Sequence, residues 1–202
     1  MKVRELTVPG AWELTPTVHA DSRGAFFEWF TDTSFTAMTG HSLDLRQANC
    51  SVSSAGVLRG VHFAQLPPSQ AKYVTCLRGA VVDVVVDIRV GSPTFGRWDA
   101  VTLDDETHRA VYLSEGLGHG FVALQDNSVV TYLCSAGYDP GREHTIDPLD
   151  PTLAITWTDW FSAGELNLSD RDRAAPSLDA VRGQGLLPTW DEAVEFAQSL
   201  RT

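Results

Sequence analysis

The sequence predicts an all-β fold, a sandwich or barrel of short strands with a few short helices. Three observations carry this. Val81–Arg89 reads VVDVVVDIR, with Val82, Val84, Val86 and Ile88 on one face and Asp83, Asp87 and Arg89 among valines on the other. That alternation has the strand period of two. Similar segments recur at short intervals, broken by Gly, Pro and Asp, as in sandwiches and barrels. Helical patterns are few and short.

The elements follow in order. Ala25–Phe30, AFFEWF, is apolar on both faces apart from Glu28. A strand of that kind is covered on both sides, either by its own domain or by a partner subunit. Asp32–Thr39 is a short helix stopped by Gly40. Leu45–Ser53 places Gln47, Asn49, Ser51 and Ser53 on one side, and Ala71–Arg78 does the same with Lys72, Val74 and Cys76. His119–Leu124 and Ser128–Ser135 are strands joined by the turn Gln125-Asp126-Asn127. Ser177–Arg182 is a second helix. Thr189 and Glu192 have the spacing of a capping box and open a last helix reaching about Leu200.

Bulk properties narrow the function. The 202 residues suit one domain, 1–202, with a core of about 40–160 and a helical segment of about 176–202. A net charge of −11 argues against a nucleic-acid binder. Cys50, Cys76 and Cys134 fit neither a disulfide framework nor a zinc pattern and read as reduced core thiols. Met1–Gly10 lacks an apolar signal core, and no run approaches the roughly 18 apolar residues of a membrane span, so a cytoplasmic location is expected.

A barrel with polar residues on its inner face is a candidate ligand cup. His62, Lys72, Asp83, His119 and Tyr132 lie on the striped strands. Lys72 is the sharpest signal: the chain has two lysines among 15 basic residues, and this one sits mid-strand beside Tyr73, Val74 and Cys76. Buried, it needs a reason or a partner; on an edge strand it would simply face water. A metal centre fits poorly, because His62 and His119 lack the close carboxylate of a three-ligand site. There is no GxSxG and no glycine-rich phosphate loop of the usual form. A neutral His as base, a carboxylate holding its tautomer, a lysine facing an enolate and a tyrosine donating a proton suit proton abstraction beside a carbonyl.

Longer motifs sharpen this reading. Asp21–Glu28 resembles the DxRGxFxE of the dTDP-4-dehydrorhamnose 3,5-epimerase family. Gln47–Phe63 resembles its QxNxSxSxxGxLRGxHF signature. Gln70-Ala71-Lys72, Ser92–Trp98, Gly116–Phe121, Ser169–Asp172 and Ala175-Pro176 follow in the family's order. Gly118, Glu115 and His144-Thr145 depart from it, where Ala, Pro and Gly are frequent.

The resemblance implies a cupin-like jelly-roll barrel, a homodimer, no cofactor and no metal, and a dTDP-4-keto-6-deoxy-hexose as substrate. It implies His62 as base with Asp172 behind it, Lys72 stabilising the enolate, Tyr132 as acid and Asp83 arranging Lys72. Arg23, Glu28, Gln47, Asn49, Arg59, His119, Tyr138, Glu143 and Arg171 would contact the nucleotide sugar, with Phe26 and Tyr138 stacking on thymine. The Arg23–Glu28 strand would be lent across the dimer. Inversion of C3 and C5 in a rhamnose-type pathway is implied, and related enzymes invert only one centre. A non-catalytic sugar-nucleotide binder and a metal-dependent cupin oxygenase are the competing classes. If Arg59 and His62 line one cavity, strict alternation must break between them, and Gly60 is the residue that tolerates a bulge.

Overall fold

The stripe read along Val81–Arg89 sits at the centre of two stacked antiparallel sheets. The structure, a computed structural model, describes residues 1–201. Strands β1 (Lys2–Glu5), β2 (Ala11–Thr15), β10 (Ala110–Leu113), β7 (Lys72–Arg78), β12 (Ser128–Cys134) and β5 (Gln47–Ser53) form a six-stranded sheet in that order. The facing five-stranded sheet runs β13 (Glu143–Thr145), β6 (Leu58–Ala64), β11 (Leu117–Ala123), β8 (Ala80–Asp87) and β9 (Trp98–Asp104).

The period of two assigns each side chain to a layer. On β8, Val81 and Val85 face the other sheet and pack with Val74, Cys76, Val130 and Phe121. The alternate residues Val82, Val84 and Val86 point outward, under a cover that includes Trp157, Phe161, Leu178 and Val181 of the C-terminal segment. The outer face of the six-stranded sheet is covered in turn by Phe35 of helix α1 (Asp32–Thr39), packed on Tyr73, Tyr112 and Leu133. The expected polar face of β8 is therefore interior, and Asp83 and Asp87 are buried.

Local chemistry sets the helix ends. Thr31 caps α1, and Gly40 stops it with φ +84°. Helices α2 (Trp157–Trp160), α3 (Asp170–Arg173) and α4 (Leu178–Gly183) follow the strands. Helix α5 (Trp190–Ser199) opens on the Thr189–Glu192 capping box.

The apolar segment Ala25–Phe30 is covered within the chain only in part, since Phe27 stacks on His108 and Trp29 and Phe30 pack against the core while Ala25 and Phe26 stay exposed. Strands β3 (Val18–Asp21) and β4 (Gly24–Phe27) form a separate two-stranded hairpin, and Phe26 is 67% exposed. The end of the segment turns inward, where Tyr73 donates its hydroxyl to the Trp29 carbonyl at 2.6 Å.

The expected irregularity lies at Gly60. The register of β6 on β11 shifts between the His62–His119 and Arg59–Phe121 pairs. Gly60 has φ +123°, and a Cβ there would lie 2.6 Å from Gly120 Cα and 2.7 Å from the His119 carbonyl oxygen. Both obstacles are backbone, so neither yields by rotating a side chain. Gly60→Ala is expected to destabilise the fold by about 3 kcal/mol or more, or to prevent folding. Urea denaturation monitored by circular dichroism measures this; a loss below about 1 kcal/mol would contradict the steric account.

Candidate active site

The shifted register brings His62 opposite His119, and each imidazole is held by a carboxylate. His62 Nε2–H donates to Asp172 Oδ1 at 2.7 Å. His119 Nε2–H donates to Asp83 Oδ2, also at 2.7 Å. An ionised carboxylate only accepts, so the proton sits on Nε2 and Nδ1 is left as the basic nitrogen of His62. The His62 side chain is 35% exposed and that of Asp172 is 5% exposed. The base is thus reachable while its carboxylate is shielded. Asp172 is set in place by a short helix, because Ser169 Oγ accepts the Asp172 backbone N–H at 3.1 Å. Burial pushes the Asp172 carboxyl up, but the His62 hydrogen bond and charge outweigh it and hold the group below its ordinary range.

Beside this pair opens a cleft of about 440 Å³ lined by Arg59, His62, Asn167, Arg171 and Asp172 among others. Arg59 Nε–H donates to Ser53 Oγ at 3.2 Å. Arg171 reaches the Glu143 carbonyl oxygen at 3.1 Å. A second cavity, about 250 Å³, lies under α5 at Arg89, Glu115 and Trp190 and shares no residue with the first.

Lys72 and Tyr132 stand on the facing sheet. Lys72 is buried, and among the described residues no hydrogen bond or ion pair holds its ammonium. Burial pushes its pKa down, while Glu143, Cys134 and Asp83 pull it back. Asp83 was expected to arrange Lys72; it bonds His119 instead and acts on Lys72 only through its charge. Tyr132 pairs with Asn49 on β5 and Val74 on β7. Burial raises its pKa, with Arg59 opposing, so the phenol stays protonated at neutral pH.

The polar stripe of β5 lies on this sheet too. Gln47 Nε2 donates to Asn49 Oδ1 at 2.8 Å, and Gln47 Oε1 accepts the Tyr138 backbone N–H at 2.9 Å. The Tyr138 side chain remains exposed at the rim. Arg23, Phe26 and Glu28 are not brought here. They sit on or beside the β3–β4 hairpin, where Arg23 is paired with Asp21. Cys134, read from sequence as a core thiol, lies between Lys72 and Gln47 in register. Its spacing of two from Tyr132 puts both on the same face of β12.

Among the described residues, no group of three or more His, Cys, Asp and Glu is placed to hold a metal ion. None of their helices is long and apolar enough to cross a membrane.

Comparison with known proteins decides the family. The model described as dTDP-4-dehydrorhamnose 3,5-epimerase matches residues 5–180. The chain belongs to the dTDP-4-dehydrorhamnose 3,5-epimerase family. It is 68% identical to the Mycobacterium tuberculosis protein of that name, over 100% of this chain and 99% of the relative. The solved M. tuberculosis rmlC epimerase superposes with a TM-score of 0.97 at 67% identity, covering 100% of each chain. A 3'-monoepimerase from Streptomyces bikiniensis, solved in complex with dTDP-quinovose, superposes at 0.93 with 49% identity, covering 97% of this chain and 98% of that one. The two stacked sheets are the family's cupin-like jelly roll.

An unpaired buried cation is costly to folding, which makes Lys72 a test of whether this family's site is built for chemistry rather than stability. Its lowered pKa means that the unfolded chain binds the proton more tightly in the window below pH 10.5. Stability attributable to this group therefore rises with pH toward that value. Lys72→Met is expected to stabilise the fold at pH 7 by about 1–3 kcal/mol. The gain should shrink as pH rises toward 10.5, and epimerisation should be lost. Denaturation at pH 7 and 10 measures the effect; a variant less stable than the parent at pH 7 would show that Lys72 is structurally satisfied.

Proposed function

We propose that this chain inverts C3 and C5 of a dTDP-4-keto-6-deoxy-hexose, of the rhamnose type, without a cofactor. The observation that carries the proposal is the division of labour between sheets. The carboxylate-backed His62 stands on the five-stranded sheet, and Tyr132 with Lys72 stands on the facing one. A ring held between them meets a base on one face and an acid on the other.

The chemistry follows from the C4 ketone, which acidifies the hydrogens on C3 and C5. His62 removes one of them, and Asp172 stabilises the imidazolium that forms. Lys72 faces the enolate oxygen and stabilises its charge. Tyr132 returns a proton to the opposite face, inverting the carbon. Repetition at the second carbon completes the double epimerisation. His119, fixed by Asp83, together with Gln47, Asn49 and Glu143, would contact the nucleotide sugar. Arg59 and Arg171, with Arg23, offer forked donors to the diphosphate.

The same reading requires a homodimer. Arg23, Phe26 and Glu28 lie on an exposed apolar segment away from the chain's own cup, and a second copy would bring them to it. Phe26 and Tyr138 would then stack on thymine. Inversion of C3 alone is the second reading, favoured by the likeness to a 3'-monoepimerase.

Two experiments test the mechanism. In heavy water, His62→Asn should lower deuterium entry at both C3 and C5 by about 10³-fold while circular dichroism stays native. Full exchange at either carbon in that variant would rule out a single base. Tyr132→Phe should still admit deuterium but form little inverted product, as read by NMR of the recovered sugar; undiminished inversion would move the acid elsewhere. Light scattering at micromolar concentration should give twice the chain mass. A fully active monomer would contradict the dimer.

A further inference from the structure

We infer that Cys134 is a positioning residue: its sulfur takes the last N–H of an amide chain that runs from the Tyr138 backbone through Gln47, and so holds Asn49 in place at the cup. The inference rests on the active-site reading above and extends it to a residue to which that reading gives no task.

The chain can be followed atom by atom. Tyr138 N–H donates to Gln47 Oε1 at 2.9 Å, which fixes which end of that amide is oxygen. Gln47 Nε2 must then face Asn49, and it donates to Asn49 Oδ1 at 2.8 Å. That leaves Asn49 Nδ2 pointing at Cys134, whose Sγ accepts at 3.7 Å. Each amide orientation thus follows from the one before it, starting at the Tyr138 backbone N–H, and the sulfur takes the last N–H of the series. Sulfur is a weak acceptor, but without it Asn49 Nδ2 loses the contact that holds this amide against β12.

The surroundings make a chance contact a poor explanation. Cys134 is fully buried and pairs in register with Lys72 on one side and Gln47 on the other. Burial pushes the thiol up to about 11, against the pull of Lys72, so it remains neutral at pH 7. A neutral group at this point accepts from Asn49 without forming an ion pair that would occupy the Lys72 ammonium. An aspartate would do so, and a valine would accept nothing.

The test compares Cys134→Val with Cys134→Ser. Valine removes the acceptor and is somewhat larger; serine keeps an acceptor on a shorter bond. C134V should raise KM for the dTDP-4-keto sugar roughly tenfold, with a smaller fall in kcat, and weaken dTDP binding measured by calorimetry by a similar factor. C134S should recover most of that loss. A KM and a dTDP affinity for C134V within twofold of the parent would overturn the inference while leaving the epimerase reading intact. So would equal losses in C134V and C134S, which indicate packing alone. A parent protein that admits no deuterium into the sugar would overturn the underlying reading and the inference with it.

Discussion

The hydrogen bond between His62 and Asp172 is the interaction on which the site depends. It joins a barrel strand to a four-residue helix 110 positions later. Its geometry requires two local arrangements that have no other evident purpose. Gly60 breaks the alternation of β6 so that His62 shares a face with Arg59. Ser169 caps α3 so that Asp172 enters the wall at a fixed height. The bond is worth more than its contact, because Asp172 is almost wholly buried and would otherwise be an unpaired charge. Its lowered pKa places this contribution above the ordinary carboxylate range, and it is lost as pH falls through the lowered value.

The cup trades stability for charge placement. Lys72 has no ion-pair partner among the described residues, and Asp83 Oδ1 and Ser51 Oγ are buried without hydrogen bonds. Asp87 and Arg89, outside this group, are buried as a close pair. Arg89 bonds both oxygens of Asp87 at 2.8 Å and stacks on Trp190, which ties α5 to the barrel. In a chain of net charge −11, Arg59 and Arg171 line one cleft and so concentrate positive charge there.

Much of this was legible before any coordinates. Period-two stripes located β5, β7, β8, β11 and β12 and assigned the inward faces of Lys72 and Tyr132. Cap chemistry located α1, α4 and α5. The remainder carries little local signal. Strand β13 has three residues, β1 is exposed throughout, and α3 is a single capped turn. The His119–Asp83 bond is a cross-strand contact, and no spacing within one strand encodes it. The hairpin at Ala25 was legible as apolar, but sequence pattern does not say how much of it the rest of the chain covers. Cys134 was read only as a reduced core thiol, and nothing local marked its sulfur as the end of an amide chain.

Proton transfer from one sheet to the other is the centre of this account, and one measurement addresses it directly. The parent enzyme is given its 4-keto sugar nucleotide in heavy water, and the first inverted product is analysed by NMR for deuterium at each carbon. A base and an acid on opposite faces never return the same proton, and the tyrosine hydroxyl exchanges with solvent. Every inverted carbon should therefore carry deuterium from the first turnover. Inverted carbons that retain their original hydrogen would mean that a single group carries the proton across, and would contradict the assignment of His62 and Tyr132 to separate roles.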